Sequence, residues 1–232
     1  MRRLYKIFLL VIFVTGSSLG QQLYEQLEDA KQKVGKDACD LQALSNITTL
    51  LRKSLGTGRS INPQNPSKTL EDLATYSTQG LSCLKGVSAK SRSADQVKTN
   101  KELIVTFSGG AGFAALQNKQ YVRAQHYLQS AVDADPNDIK NVWSLALAYL
   151  NRGYGSASPR EVGAGLFYVA RAASLSPRGK ARHDIEQYMV KAYTAYHGSR
   201  AGCDELMRKA EKYGAPPPGF RIMKRQDSSA LQ

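Results

Sequence analysis

The chain has 232 residues, 42% of them hydrophobic and 22% charged, which excludes a disordered or fibrous protein and leaves enough apolar material for a real core. Its formal charge is +13, but the lysines and arginines are spread along the sequence. A solvated basic surface is therefore expected, and a nucleic acid partner is not.

The N-terminus carries the first sharp signal. Arg2, Arg3 and Lys6 precede an unbroken apolar run from Ile7 to Val14, and the small residues Ser18 and Gly20 follow. This is the order of a secretory signal peptide over residues 1–20, with cleavage expected after Gly20. An apolar run of this length rises only about 12 Å as helix, against the ~30 Å of hydrocarbon that a membrane span must cross. No later segment approaches that length, so the expectation is a secreted or periplasmic protein with no integral membrane segment after signal cleavage.

Residues 21–100 read as an N-terminal helical region. Spacings of three and four recur and alternating strand patterns do not, so the expected fold class is all-α. Leu23 to Val34 forms an amphipathic stretch that Gly35 interrupts, and a second helix is expected from Asp37 to Ser54 with Leu41, Leu44, Ile47, Leu50 and Leu51 as its stripe. Gly56 to Pro66 is a loop by composition. Ser67 is placed to cap a third helix ending near Gly86, and Ser93 to Gln96 has a capping-box arrangement. From there one helix either runs on or breaks at Ser108-Gly109-Gly110. The densest basic stretch lies between Lys85 and Lys101. Asn46-Ile47-Thr48 fits a glycosylation acceptor, which has meaning only in a eukaryote.

Three cysteines, Cys39, Cys83 and Cys203, match no local metal-ligand spacing. In an oxidising compartment Cys39 and Cys83 are candidates for a disulfide joining two N-terminal helices, the alternative being two small core residues.

From Gly112 the pattern changes. Ala124, Leu128, Ala131 and Pro136 fall at fixed offsets after Gly112 and Tyr121. Small residues at Gly112 and Ala124 suit a helix crossing, Tyr121 and Leu128 fill the space beside it, and Pro136 stops the helix. Val142, Leu145, Ala146 and Tyr149 repeat the opening half, with Tyr149 standing 34 residues after Ala115. Gly165, Val169, Ala172 and Pro177 supply the closing half, but Pro177 follows Pro136 by 41 residues, seven more than one repeat. The extra residues are assigned to an inserted loop, Asn151 to Ser158, after which Ser158, Pro159 and Glu161 restart a helix. A third unit reads Met189, Val190 and Tyr193, then Cys203, Met207, Ala210 and Pro216.

Over residues 102–216 the chain resembles the tetratricopeptide repeat family. No unit has tryptophan at the family's tryptophan position, and Ala115 stands where tyrosine is usual. The resemblance implies a right-handed solenoid of antiparallel helix pairs, with the first helix of each pair lining a concave face. That face would present Phe113, Leu116 and Gln117, then Lys140, Trp143, Leu147 and Asn151, then Gln187 and Lys191. Trp143 either anchors a peptide there or packs against the next unit or the N-terminal helices. Family members that clamp a C-terminal carboxylate use lysine and asparagine at positions that here carry Gly109, Phe113 and Leu147, so that ligand class is not implied.

Catalysis is not expected, and neither is a cofactor. His197 lies six residues before Cys203, but no orienting group or oxyanion turn accompanies the pair. Asp135, Asn137 and Asp138 read as turn and cap residues, and Ser108 to Gly112 lacks the lysine of a phosphate loop. The tail from residue 217 to 232 is expected to be flexible. The expected function is an exported scaffold holding a protein or peptide partner; the alternative is a basic structural protein on an acidic polymer or membrane surface.

Overall fold

The computed structural model describes residues 20–57, 61, 65–86 and 94–223. Residues 1–19, Ser93 and most of the basic stretch before Asp95 lie outside them, as do the expectations placed there. Among the described residues the chain is all-helical, with nine helices and no strand. No helix among them is long and apolar enough to cross a membrane. The chain divides into two compact units at Ala114/Ala115, later than the boundary near residue 100 expected from sequence.

The first unit contains α1 (20–36), α2 (Leu41–Gly56), α3 (Pro66–Gly86) and most of α4 (Ala94–Gln117). Its core is Leu44, Ile47, Leu51, Leu73 and Phe107, all essentially inaccessible. Helix α2 starts later than expected because Asp40, whose carboxylate accepts from Ala43 N at 2.9 Å, is its cap and Asp37 closes the preceding turn. At α3 the cap is Asn65, which accepts from Lys68 N and from the Ser67 hydroxyl, so Ser67 is helical instead of capping. Helix α4 does not break at Ser108-Gly109-Gly110. A Cβ on Gly110 would strike the Ser77 hydroxyl and Thr48, so glycine there permits close packing on α2 and α3. Thr48 is wholly buried against Ser77, which places the hydroxyl of the sequon inside this packing.

Cys39 and Cys83 are joined by a disulfide with Cα atoms 5.5 Å apart. Beside it the Gln79 amide donates to Ala38 O at 2.6 Å, fastening the α1–α2 turn to α3.

The second unit contains α5 (Tyr121–Ala134), α6 (Ile139–Ser156), α7 (Pro159–Leu175), α8 (Lys180–His197) and α9 (Cys203–Lys212). Helix α7 is its centre, packing on α6, α8 and α9, and Leu166, Phe167, Val169, Ala172 and Ala173 on it are fully buried. Arg171 extends from α7 to the end of α9, donating to the carbonyls of Ala210 and Glu211, and its other Nη donates to Asn137 in the α5–α6 turn at 3.0 Å. Cations at a helix C-terminus satisfy otherwise orphaned carbonyls. Asp138 caps α6 through Asn141 N at 2.8 Å, and Asp135 accepts from Asn137 N.

Two sequence expectations are corrected here. Residues Asn151 to Ser156 are not an inserted loop: α6 continues through them, and only Ala157, in the left-handed region, turns the chain. Ser158 then caps α7, accepting from Glu161 N. The tail is not free from residue 217 either. Ile222 is only 7% exposed, Phe220 meets Phe167 edge-on at 5.7 Å, and the backbone at Arg221–Ile222 lies against Gly163.

Candidate functional site

Two features of the second unit have the character of a site. The first is the face shared by α6 and α8. Trp143 near the start of α6 meets Tyr188 edge-on with ring centroids 5.4 Å apart, and Tyr154 near its end meets Tyr196 at 6.3 Å. Both pairings advance along α6 and α8 in the same sense, so these helices run in the same direction. Tyr154 is 49% and Tyr188 39% exposed, while Trp143 and Leu147 are half-buried against the core. Lys140, Gln187 and Lys191 are exposed on the same two helices. Edge-to-face aromatic pairs hold one another in place and present apolar area at little entropic cost. Burial pushes the hydroxyls of Tyr154, Tyr188 and Tyr196 up from the usual phenol range, so they remain neutral donors at ordinary pH.

The residues expected to line a groove are thus partly gathered. Lys140 and Trp143 on α6, with Gln187 and Lys191 on α8, lie on helices joined by the aromatic pairs. Asn151 is exposed, but its amide donates to Leu147 O at 2.8 Å and is engaged with its own helix. Gln117 is exposed at the end of α4. Phe113 does not belong to this face: it packs in the core of the first unit, with the Arg52 guanidinium 5.8 Å from its ring centroid. Tyr188 and Tyr154 were missed. Their exposure follows from a cross-helix pairing that spacing within one helix does not reveal.

The second feature is a cavity of about 560 Å³ enclosed by α5, α6, α7 and the proline strap Ala215–Phe220. On one wall Tyr149 and Tyr168 are stacked, 5.9 Å apart and inclined by 19°. Burial pushes the Tyr168 phenol up to about 12, and burial with the nearby Glu161 charge raises Tyr149. At another, Arg152 Nη1 donates to Gln125 Oε1 at 2.6 Å and reaches Glu161 Oε1 at 3.1 Å. Helices α6 and α7 cross closely enough to make this contact because glycines stand at the crossing: a Cβ on Gly153 would lie 2.7 Å from Val162 N, and one on Gly165 2.9 Å from Leu150 N. Neither Gln125 nor Arg152 was singled out from sequence, and Glu161 only as part of the helix start at Ser158, since the contact among the three joins separate helices.

His197 and Cys203 are each engaged with other groups. Cys203 is fully buried with its Sγ 3.8 Å from Met189 Sδ, and burial pushes its thiol up. His197 Nδ1 is engaged with Ser199, and its ring stacks on Tyr193. Tyr193 in turn donates to Ala201 O, close above Gly202, whose φ of +85° and lack of a side chain the contact requires. Among the described residues no three His, Cys, Asp or Glu side chains gather where they could hold a metal ion. No family model, no curated protein and no solved structure matches this chain.

Proposed function

We propose that the chain is an exported scaffold whose second unit, a tetratricopeptide-like stack of helix pairs, holds a protein or peptide partner on the face shared by α6 and α8. The observation that carries this reading is the two aromatic contacts, half-buried Trp143 on exposed Tyr188 and exposed Tyr154 on buried Tyr196, bordered by Lys140 and Lys191. Rigid aromatic anchors beside cations suit a segment that brings apolar side chains with acidic ones between them. The repeat reading is supported by complete burial of Ala124, Ala131, Ala146, Ala172 and Ala210, the positions where the family's helices cross. Export is supported by the signal-like N-terminus and by the Cys39–Cys83 disulfide, since such bonds persist in oxidising compartments.

The test is retention of a partner by the immobilised chain at low and high salt, comparing wild type with Trp143→Ala and Lys191→Glu. Wild-type retention is expected to survive high salt, and Trp143→Ala to weaken it by about tenfold or more, the effect of losing an interface anchor. Circular dichroism establishes that each variant is folded. If retention is unchanged in both variants, the face is not the binding surface. If wild-type retention disappears on screening alone, the protein is a basic surface binder instead.

A further inference from the structure

The cavity under the proline strap contains a polar arrangement that the partner-binding face does not use. Gln125 is only 7% exposed, yet among the described residues its Nε2 has no hydrogen-bond partner. Glu161 Oε2 is likewise buried without one. Gln125 Oε1 and Glu161 Oε1 both meet Arg152 Nη1, which fixes the two side chains side by side. The floor therefore offers one unused donor and one unused acceptor. A buried polar group without a partner calls for an explanation, and a bound group that pairs with it is one.

The chemistry of the missing group follows from that pair. A carboxylate would accept from Gln125 but set a second negative charge against Glu161. An ammonium would donate to Glu161, but it cannot accept from Gln125 and would lie beside the Arg152 charge. A hydroxyl does both, accepting from one and donating to the other. Above this floor stand the stacked Tyr149 and Tyr168 and the rings of Pro216 to Pro218, surfaces suited to aliphatic C–H faces. Arg160 and Ser158 supply further polar edges around the rim.

We propose that this cavity is a saccharide-binding site, in which one hydroxyl of a sugar ring bridges Gln125 Nε2 and Glu161 Oε2 while a ring face lies against the tyrosine wall. The strap Ala215–Phe220 forms one wall of the cavity, and because both unpartnered atoms are buried, the lining shifts to admit the ring. Trp143 does not line the cavity, so the site is separable from the partner-binding face.

Isothermal titration of the full chain with chitotetraose, cellotetraose and maltotetraose at millimolar concentration tests this, with glutarate and diaminobutane as charged comparisons. At least one tetrasaccharide is expected to bind. Tyr149→Ala and Glu161→Gln should each weaken it by about tenfold, the loss of one stacking face or one buried hydrogen bond. Trp143→Ala should leave it unchanged. Thermal melts identify any variant that fails to fold, and Arg160→Ala, at an exposed rim residue, then serves as the second variant with a smaller loss expected. The proposal is overturned if no tetrasaccharide binds, if binding is indifferent to these substitutions, or if glutarate or diaminobutane binds in place of sugar. A crystal structure with only a bridging water between Gln125 and Glu161, together with no sugar binding, overturns it as well. Loss of partner retention with sugar binding intact would bear on the α6–α8 face alone.

Discussion

Replacing Gly165 by alanine tests the crossing on which the second unit depends. An added Cβ would lie 2.7 Å from Leu150 Cγ, 2.8 Å from its Cδ2 and 2.9 Å from its backbone N. Leu150 is 2% exposed, and the backbone nitrogen belongs to a continuous helix. Restoring ordinary contact requires α6 and α7 to separate by about 1 Å, which loses dispersion contacts along both. Overpacking of this kind costs about 1–3 kcal/mol, while alanine in place of glycine in a helix returns up to ~1 kcal/mol. The expected net loss is about 1–2 kcal/mol, read from the shift in urea midpoint at unchanged slope. Gly155→Ala is the matched control, since nothing lies within 4 Å of its Cβ position, and it should be neutral or stabilising by up to ~1 kcal/mol. If Gly165→Ala behaves like Gly155→Ala, the close crossing of α6 and α7 is wrong, and with it the placing of Arg152 against Glu161.

Three further predictions concern the rest of the molecule. Ile222→Ala should destabilise the second unit by about 2 kcal/mol, near the lower end for a buried isoleucine because the tail can readjust; an unchanged melting temperature would mean that the tail is not docked. Tyr168 has its pKa raised by burial to about 12, so the stability it confers is complete below pH ~10 and is lost as pH rises through about 12, with a slope of up to ~1.4 kcal/mol per unit. Tyr168→Phe should flatten the alkaline limb of stability against pH, and an identical limb would refute the burial of its hydroxyl. Reducing the Cys39–Cys83 bond, which closes a separation of 44 residues, should cost about 4 kcal/mol on the chain-entropy model; denaturation with and without reductant measures it, and coincident curves would contradict a disulfide at that place.

Helix type was legible because it depends on local spacing. The stripe of Leu44, Ile47 and Leu51 and the cap at Ser158 lie within a few residues of the features that betray them. What escaped was set by contacts between distant segments. Asn151 to Ser158 has the glycine and serine content of a loop, yet Gly153 is there because Val162 N approaches it, and Tyr154 is there to meet Tyr196. Phe113 has the position of a groove residue if the repeat is taken to begin before it, but the core it fills belongs to α2, α3 and α4. The tail looked too polar and proline-rich to be ordered, and the two residues that dock it, Phe220 and Ile222, make sense only once the surface of α7 is known. The Gln125–Arg152–Glu161 cluster joins three helices and leaves no trace in local spacing.

The most direct test of the partner-binding account is site-specific photo-crosslinking in cells expressing the full chain, with a photoreactive residue placed in turn at Tyr188, Lys191 and the exposed His126 on α5. A single discrete adduct from positions 188 and 191, lost on Trp143→Ala and absent from position 126, is the predicted result. Adducts only from position 126, or none from the α6–α8 face while partner retention persists, would contradict it.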